Sequence, residues 1–144
     1  MSDFRPLSAD YSVAPQISIE DVAAAKAQGF ALIVNNRPDG EEPAAPQGDA
    51  IAHAAAAEGL AYAAIPVGHA GFSHPQLDAL DKLLVAATGP VLAYCRSGTR
   101  STHLWALARA RAGDDIDAIC DAAAKAGYDL SGLRPMMDAL AGDK

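Results

Sequence analysis

Cys95 and Arg100 are the residues whose types and spacing most directly offer chemistry in this chain. Cys95 follows the apolar run Val91-Leu92-Ala93-Tyr94, and Arg96-Ser97-Gly98-Thr99-Arg100-Ser101 leads from it into a helix expected over about 101–112. A strand–loop–helix turn of this kind sets open N–H groups at the start of a helix beside the sulfur, and such groups favour anions. Nearby guanidinium groups lower a thiol's pKa below its free value of about 8.5. The pattern therefore predicts a thiolate nucleophile, Cys95, in an anion-cradling loop. Arg100 is the expected anion ligand, and Ser101 (or Thr102) the hydroxyl that donates to the Cys95 sulfur. Arg96, Ser97, Gly98 and Thr99 line the seat, with Gly98 allowing positive φ or close ligand approach.

The elements that must position this loop follow from patterning. An edge strand is expected over residues 11–17, since the run contains Pro15 and proline is tolerated at sheet edges. Ser18 reads as the cap of a helix ending near Gly29, with Glu20 and Asp21 in its first turn. The apolar run 30–35 suits a buried parallel strand. Residues 36–48, rich in Pro, Gly and Glu, make a surface loop. Further elements are a helix over about 49–58, a strand at 61–67, a helix capped by Ser73, and helices near 115–126 and 131–140. Strands alternating with helices imply an α/β sandwich with a mostly parallel sheet flanked by helices. Ligands bind such sheets at the carboxyl ends of the strands. The loops after Asn35, Val67 and Tyr94 should meet there, provided their strands are neighbours. Arg37, Asp39 and His69 then become candidate substrate contacts, although Pro38-Asp39-Gly40 is also a plain turn signal.

Bulk properties exclude several classes. The 144 residues suit one domain, 51% hydrophobic and 20% charged, with net charge −7. That charge argues against nucleic acid or an acidic membrane surface as partner, and no apolar run approaches the roughly 20 residues of a membrane span. The first residues lack an apolar signal segment, so a cytoplasmic protein is expected. The two cysteines, Cys95 and Cys120, read as free thiols in such a compartment, with Cys120 buried on an alanine-rich helix. His53, His69, His74 and His103 are scattered, and no metal-binding spacing is present, so neither metal nor cofactor is expected. Trp105 should lie in the core beside Leu104 and Leu107.

Tyr94-Cys95-Arg96-Ser97-Gly98-Thr99-Arg100-Ser101 resembles the active-site loop of rhodanese-type sulfurtransferases and, less closely, the cysteine phosphatase loop. Val34-Asn35-Asn36-Arg37-Pro38-Asp39-Gly40-Glu41, Ile65-Pro66-Val67, Leu104-Trp105-Ala106-Leu107 and Ala126-Gly127-Tyr128-Asp129-Leu130 extend the likeness along nearly the whole chain. Together they resemble the bacterial β-lactamase-hydrolase-like, phosphatase-like domain family, also known as a sulfur transferase family. The resemblance implies a protein-tyrosine-phosphatase-like three-layer fold and a link to sulfide and persulfide metabolism.

Loop length separates the two chemistries. Phosphatases resembling this chain place five residues between cysteine and arginine, in a ring that surrounds a phosphoryl group. Here four residues separate Cys95 from Arg100, as in rhodaneses. Phosphatases also need a general acid, in the similar small dual-specificity enzymes an aspartate after the strand matching Ile65-Pro66-Val67. Gly68-His69-Ala70 stands there, leaving His69 or Asp39 as the acid. The leading expectation is a sulfurtransferase that forms a Cys95 persulfide from thiosulfate or a low-molecular-weight persulfide and passes the sulfur to a thiol acceptor. A phosphomonoester phosphatase and a non-catalytic anion-binding module are the alternatives.

Overall fold

Every residue of the strand that leads into the cysteine is buried, and the rest of the fold is layered around it. In a computed structural model that describes residues 3–68 and 70–142, this strand, β5 (Val91–Tyr94), occupies the centre of a mixed sheet. Among the described residues the other strands are β1 (Arg5–Ser8), β2 (Tyr11–Ala14), β3 (Leu32–Asn35) and β4 (Ala61–Ala64), in the order β1-β2-β5-β3-β4. Only the β1–β2 pair is antiparallel. Val91 stands level with Tyr11 on one side and Leu32 on the other, and Leu32 with Ala61. The expected neighbourhood of β3, β4 and β5 is therefore real.

Alternation along the strands sorts the core into two layers. Val13, Leu32, Val34, Val91 and Ala93 pack beneath α3 (His74–Ala86), α4 (Thr99–Ala112), α5 (Ile116–Lys125) and α6 (Arg134–Ala141). Ala14, Ile33, Leu92 and Tyr94 face α1 (Ile19–Ala27) and α2 (Gly48–Ala57) on the other side. The result is the expected three-layer α/β sandwich. Helix α4 lies innermost in its layer, with Ser101, Thr102 and residues 104–108 all buried, so Trp105 is core as expected.

Two expectations change. The strand at Tyr11–Ala14 is not an edge, because β1 pairs with it and takes the edge position. Pro6, inside β1, is the proline that obeys the edge rule, while Pro15 lies just beyond β2. Cys120 is only partly buried and lines a surface cavity with Tyr128 and Arg134, because it sits toward the outer side of α5 while Ile119 and Ala123 turn inward. Elsewhere local rules hold. The Ser18 hydroxyl accepts from the Asp21 N–H, and Asp21 accepts from the Ser18 N–H, a reciprocal cap that fixes the start of α1.

Candidate active site

The β5–α4 loop is tight because Gly98 stands at φ 88° immediately before α4. The helix therefore begins at Thr99, two residues earlier than the pattern of apolar residues suggests. A side chain on Gly98 would collide with the hydroxyl of Tyr128, and the ring carbon bearing that hydroxyl would lie 2.9 Å from a Cβ. Tyr128 uses its hydroxyl to donate to the Ser97 carbonyl (2.9 Å). The Gly98 N–H points at Cys95 and donates to Sγ at 3.1 Å. Cys95 itself is fully buried.

Ser101 does not reach the sulfur as expected. Its hydroxyl donates to Asn36 Oδ1 at 2.7 Å, and the Asn36 amide in turn donates to the Ile65 carbonyl (2.9 Å). The Thr102 hydroxyl closes on the Gly98 carbonyl (2.8 Å). The backbone N–H of Gly98, not a hydroxyl, thus supplies the hydrogen bond to Cys95. Ser101 and Asn36 instead tie the start of α4 to the ends of β3 and β4. Ser97 and Thr99 are exposed and hydrogen-bond to each other (2.8 Å). Arg96 is also exposed, and its carbonyl accepts from the Gln16 N–H (3.2 Å).

Arg100 is held from three directions. Its Nη1 donates to Glu41 Oε2 and to the Val67 carbonyl, each at 2.7 Å, and its Nη2 donates to Glu41 Oε1 at 2.9 Å. Glu41 Oε1 also accepts from Arg37 Nε at 2.9 Å, and Arg37 Nη1 reaches Gln16 (2.9 Å). The Arg100 hydrogen bonds, then those from Arg37, push the Glu41 carboxyl down to about 2. The Arg100 pKa is raised, first by Glu41 and also by Cys95, so the guanidinium lies within reach of the sulfur. An arginine carries five N–H donors. Three are committed to Glu41 and Val67, and the Cys95 sulfur is a further partner of the guanidinium.

Of the residues expected in the site, Cys95, Gly98 and Arg100 come together. Arg37 is nearly buried and grips Glu41, and Asp39 turns away to accept from the Gly48 N–H at the start of α2 (2.8 Å). That approach is possible because Gly48 lacks a side chain. A Cβ there would crowd Tyr62, Asp39 and Asn35 at 3.0, 3.1 and 3.2 Å. His69 lies outside the described residues. Glu41, Asn36 and Tyr128 are the site residues that sequence reasoning did not assign. Only Glu41 carries a local hint, standing four residues beyond Arg37.

Residues 3–112 match the family described as "Beta-lactamase hydrolase-like protein, phosphatase-like domain". The chain belongs to that family. The β-lactamase hydrolase-like protein of Agrobacterium fabrum is 39% identical over 99 residues, and that of Xylella fastidiosa (strain Temecula1) 37% over 107. These alignments cover 69% and 72% of the chain but only 23% and 24% of the relatives, so the chain spans about a quarter of their length. Among solved structures, a candidate phosphatase from Neisseria meningitidis superposes with a TM-score of 0.86 at 30% identity, covering 97% of this chain and 99% of that one. P. aeruginosa TpbA in complex with pTyr matches at a TM-score of 0.67 and 17% identity, over 98% and 89% of the two chains. The phosphatase-like domain thus has the protein-tyrosine-phosphatase-like fold around a cysteine loop. No helix among the described residues is long and apolar enough to cross a membrane.

Proposed function

We propose that this phosphatase-like domain is a cysteine-dependent sulfurtransferase, taking sulfur from thiosulfate or a low-molecular-weight persulfide and passing it to a thiol. The observation that carries this reading is Glu41. The carboxylate beside the anion-binding arginine is held by two guanidinium groups and pushed down to about 2. Near neutral pH it has no proton to give. Cleavage of an alkyl phosphate requires an acid for the leaving oxygen, whereas sulfite and thiolates leave as stable anions. Asp39 is engaged at the start of α2. The short loop between Cys95 and Arg100 supports the same chemistry.

In the first step the Cys95 thiolate attacks the outer sulfur of thiosulfate. A bond forms between the two sulfurs, the sulfur–sulfonate bond breaks, and sulfite departs with the electron pair. The Gly98 N–H, already aimed at Sγ, holds the thiolate charge. The edge of Arg100 not taken by Glu41 and Val67 holds the oxygens of the donor molecule. In the second step an acceptor thiolate attacks the outer sulfur of the Cys95 persulfide, and Cys95 leaves as thiolate. No proton, oxidant or metal is consumed in this two-step covalent scheme.

A second reading, a cysteine phosphatase acting on aryl phosphates with good leaving groups, is favoured by the likeness to the Neisseria meningitidis candidate phosphatase. Intact mass spectrometry after incubation with thiosulfate or glutathione persulfide separates the two. The expected result is a gain of one sulfur atom that is absent from Cys95→Ser. Cys95-dependent hydrolysis of a chromogenic aryl phosphate without sulfur uptake would establish the phosphatase instead. Neither activity would leave an anion-binding module.

A further inference from the structure

The charge of the site is set by a residue that grips Arg100 on the edge away from Cys95. Glu41 Oε1 bridges Arg37 Nε and Arg100 Nη2, and Oε2 takes Arg100 Nη1. The three side chains are 9%, 24% and 29% exposed for Arg37, Arg100 and Glu41, so this cluster is only partly screened by water. Two guanidinium charges therefore face one carboxylate, and with Cys95 as the attacking thiolate that sulfur transfer requires, the inner site is neutral before any donor enters. Arg96 is exposed and its charge is largely screened. With Glu41 uncharged, the same site would carry one net positive charge.

We propose that Glu41 is a specificity-determining residue that makes the site take singly charged sulfane-sulfur donors, alkyl thiosulfonates and persulfides, ahead of doubly charged thiosulfate and phosphate monoesters. The inference rests on the sulfur-transfer reading and narrows its donor. Two features support it. The edge of Arg100 that Glu41 and Val67 leave lies toward the Cys95 sulfur, where it meets the oxygens of a donor bound for that sulfur, while the further charge of thiosulfate finds no uncommitted cation among the inner residues. Glu41 also stays ionised across the working pH range, because both of its arginines favour its charged form, so its repulsion of a dianion is permanent.

Methanethiosulfonate and thiosulfate deliver the same sulfur to Cys95 and differ by one charge, releasing methanesulfinate and sulfite respectively. The experiment measures the rate of Cys95 sulfuration by each, using intact mass, in the wild type, Glu41→Gln, Glu41→Ala and Glu41→Asp. Intrinsic donor reactivity cancels when the rate ratios of two proteins are compared. Glu41→Gln and Glu41→Ala should each shift the ratio toward thiosulfate by about tenfold or more, the scale expected for one nearby charge in a partly screened site. Glu41→Asp should keep the wild-type ratio. Equal slowing of both donors by Glu41→Gln, with the ratio unchanged, would overturn the inference and leave Glu41 as a support for Arg100. If the wild type takes sulfur from neither donor, the sulfur-transfer reading fails on its own account. Charge selection is then read from calorimetric binding of sulfate and methanesulfonate to Cys95→Ser, with and without Glu41→Gln. A tenfold relative gain for sulfate upholds the selection, and an unchanged ratio overturns it.

Discussion

At Gly98 a left-handed backbone and the Tyr128 ring meet at one Cα. Gly98→Ala should therefore destabilise the protein by about 1–3 kcal/mol, the range for a strained φ imposed on a residue with a side chain. Tyr128→Phe removes the hydroxyl that would collide and also its hydrogen bond to Ser97, whose loss costs about 1 kcal/mol. In Gly98→Ala the second substitution should cost less than in the wild type, because it also relieves the clash. Urea titrations of the four proteins check this, and strict additivity within about 0.5 kcal/mol would show that the two residues do not compete for one space. Cys95 depends on this contact, since Gly98 is also its hydrogen-bond donor. The Cys95→Ser control belongs to the same scale, as under the proposed sulfur transfer it should abolish sulfur uptake.

The element that completes the site is the loop between β3 and α2. It is fixed by its own side chains at several points. The Arg37 N–H donates to Asn35 Oδ1, Asp39 accepts from Gly48, and Gln47 joins Gly40, Glu42 and Ala45. It is attached across to α4 twice, by the Ser101 hydrogen bond to Asn36 at its start and by the Glu41 pair with Arg100 further along. A carboxyl depressed on folding adds stability that is complete above its ordinary pKa of about 4.3. That contribution disappears as pH falls toward the folded value of about 2. Carbon-detected NMR of the Glu41 carboxyl should thus show it ionised at pH 3.5, and Arg100→Ala should return its titration toward the ordinary range. A wild-type midpoint near the ordinary value would mean that the loop is not held by this pair in solution. The same experiment bears on the mechanism, since an ionised Glu41 cannot act as the acid.

For the whole molecule, stability runs through β5, which joins both halves of the sheet and contacts both helical layers. Leu92, fully buried against α1 and α2, has no route to solvent when truncated. Leu92→Ala should cost about 2–5 kcal/mol in urea unfolding, and a loss below about 1 kcal/mol would mean that the α1–α2 layer collapses onto the vacated space. What the amino-acid order determined by itself was everything governed by near neighbours. The Ser18 cap, the strand alternation, the Cys95–Arg100 spacing and the glycine before α4 are all set within a few residues. The convergence of three loops was expected only if their strands were neighbours, which the sheet order decided, and β1 went unread because Arg-Pro-Leu-Ser lacks a strand pattern. Only the tertiary structure decided the partners. Glu41 and Arg100 are 59 residues apart, Asn36 and Ser101 65, and Ser97 and Tyr128 31. No local spacing selects such pairs. They meet because β3 lies beside β5 in a particular register and because α5 delivers Tyr128 to the loop, and both follow from burial of the two core layers as a unit.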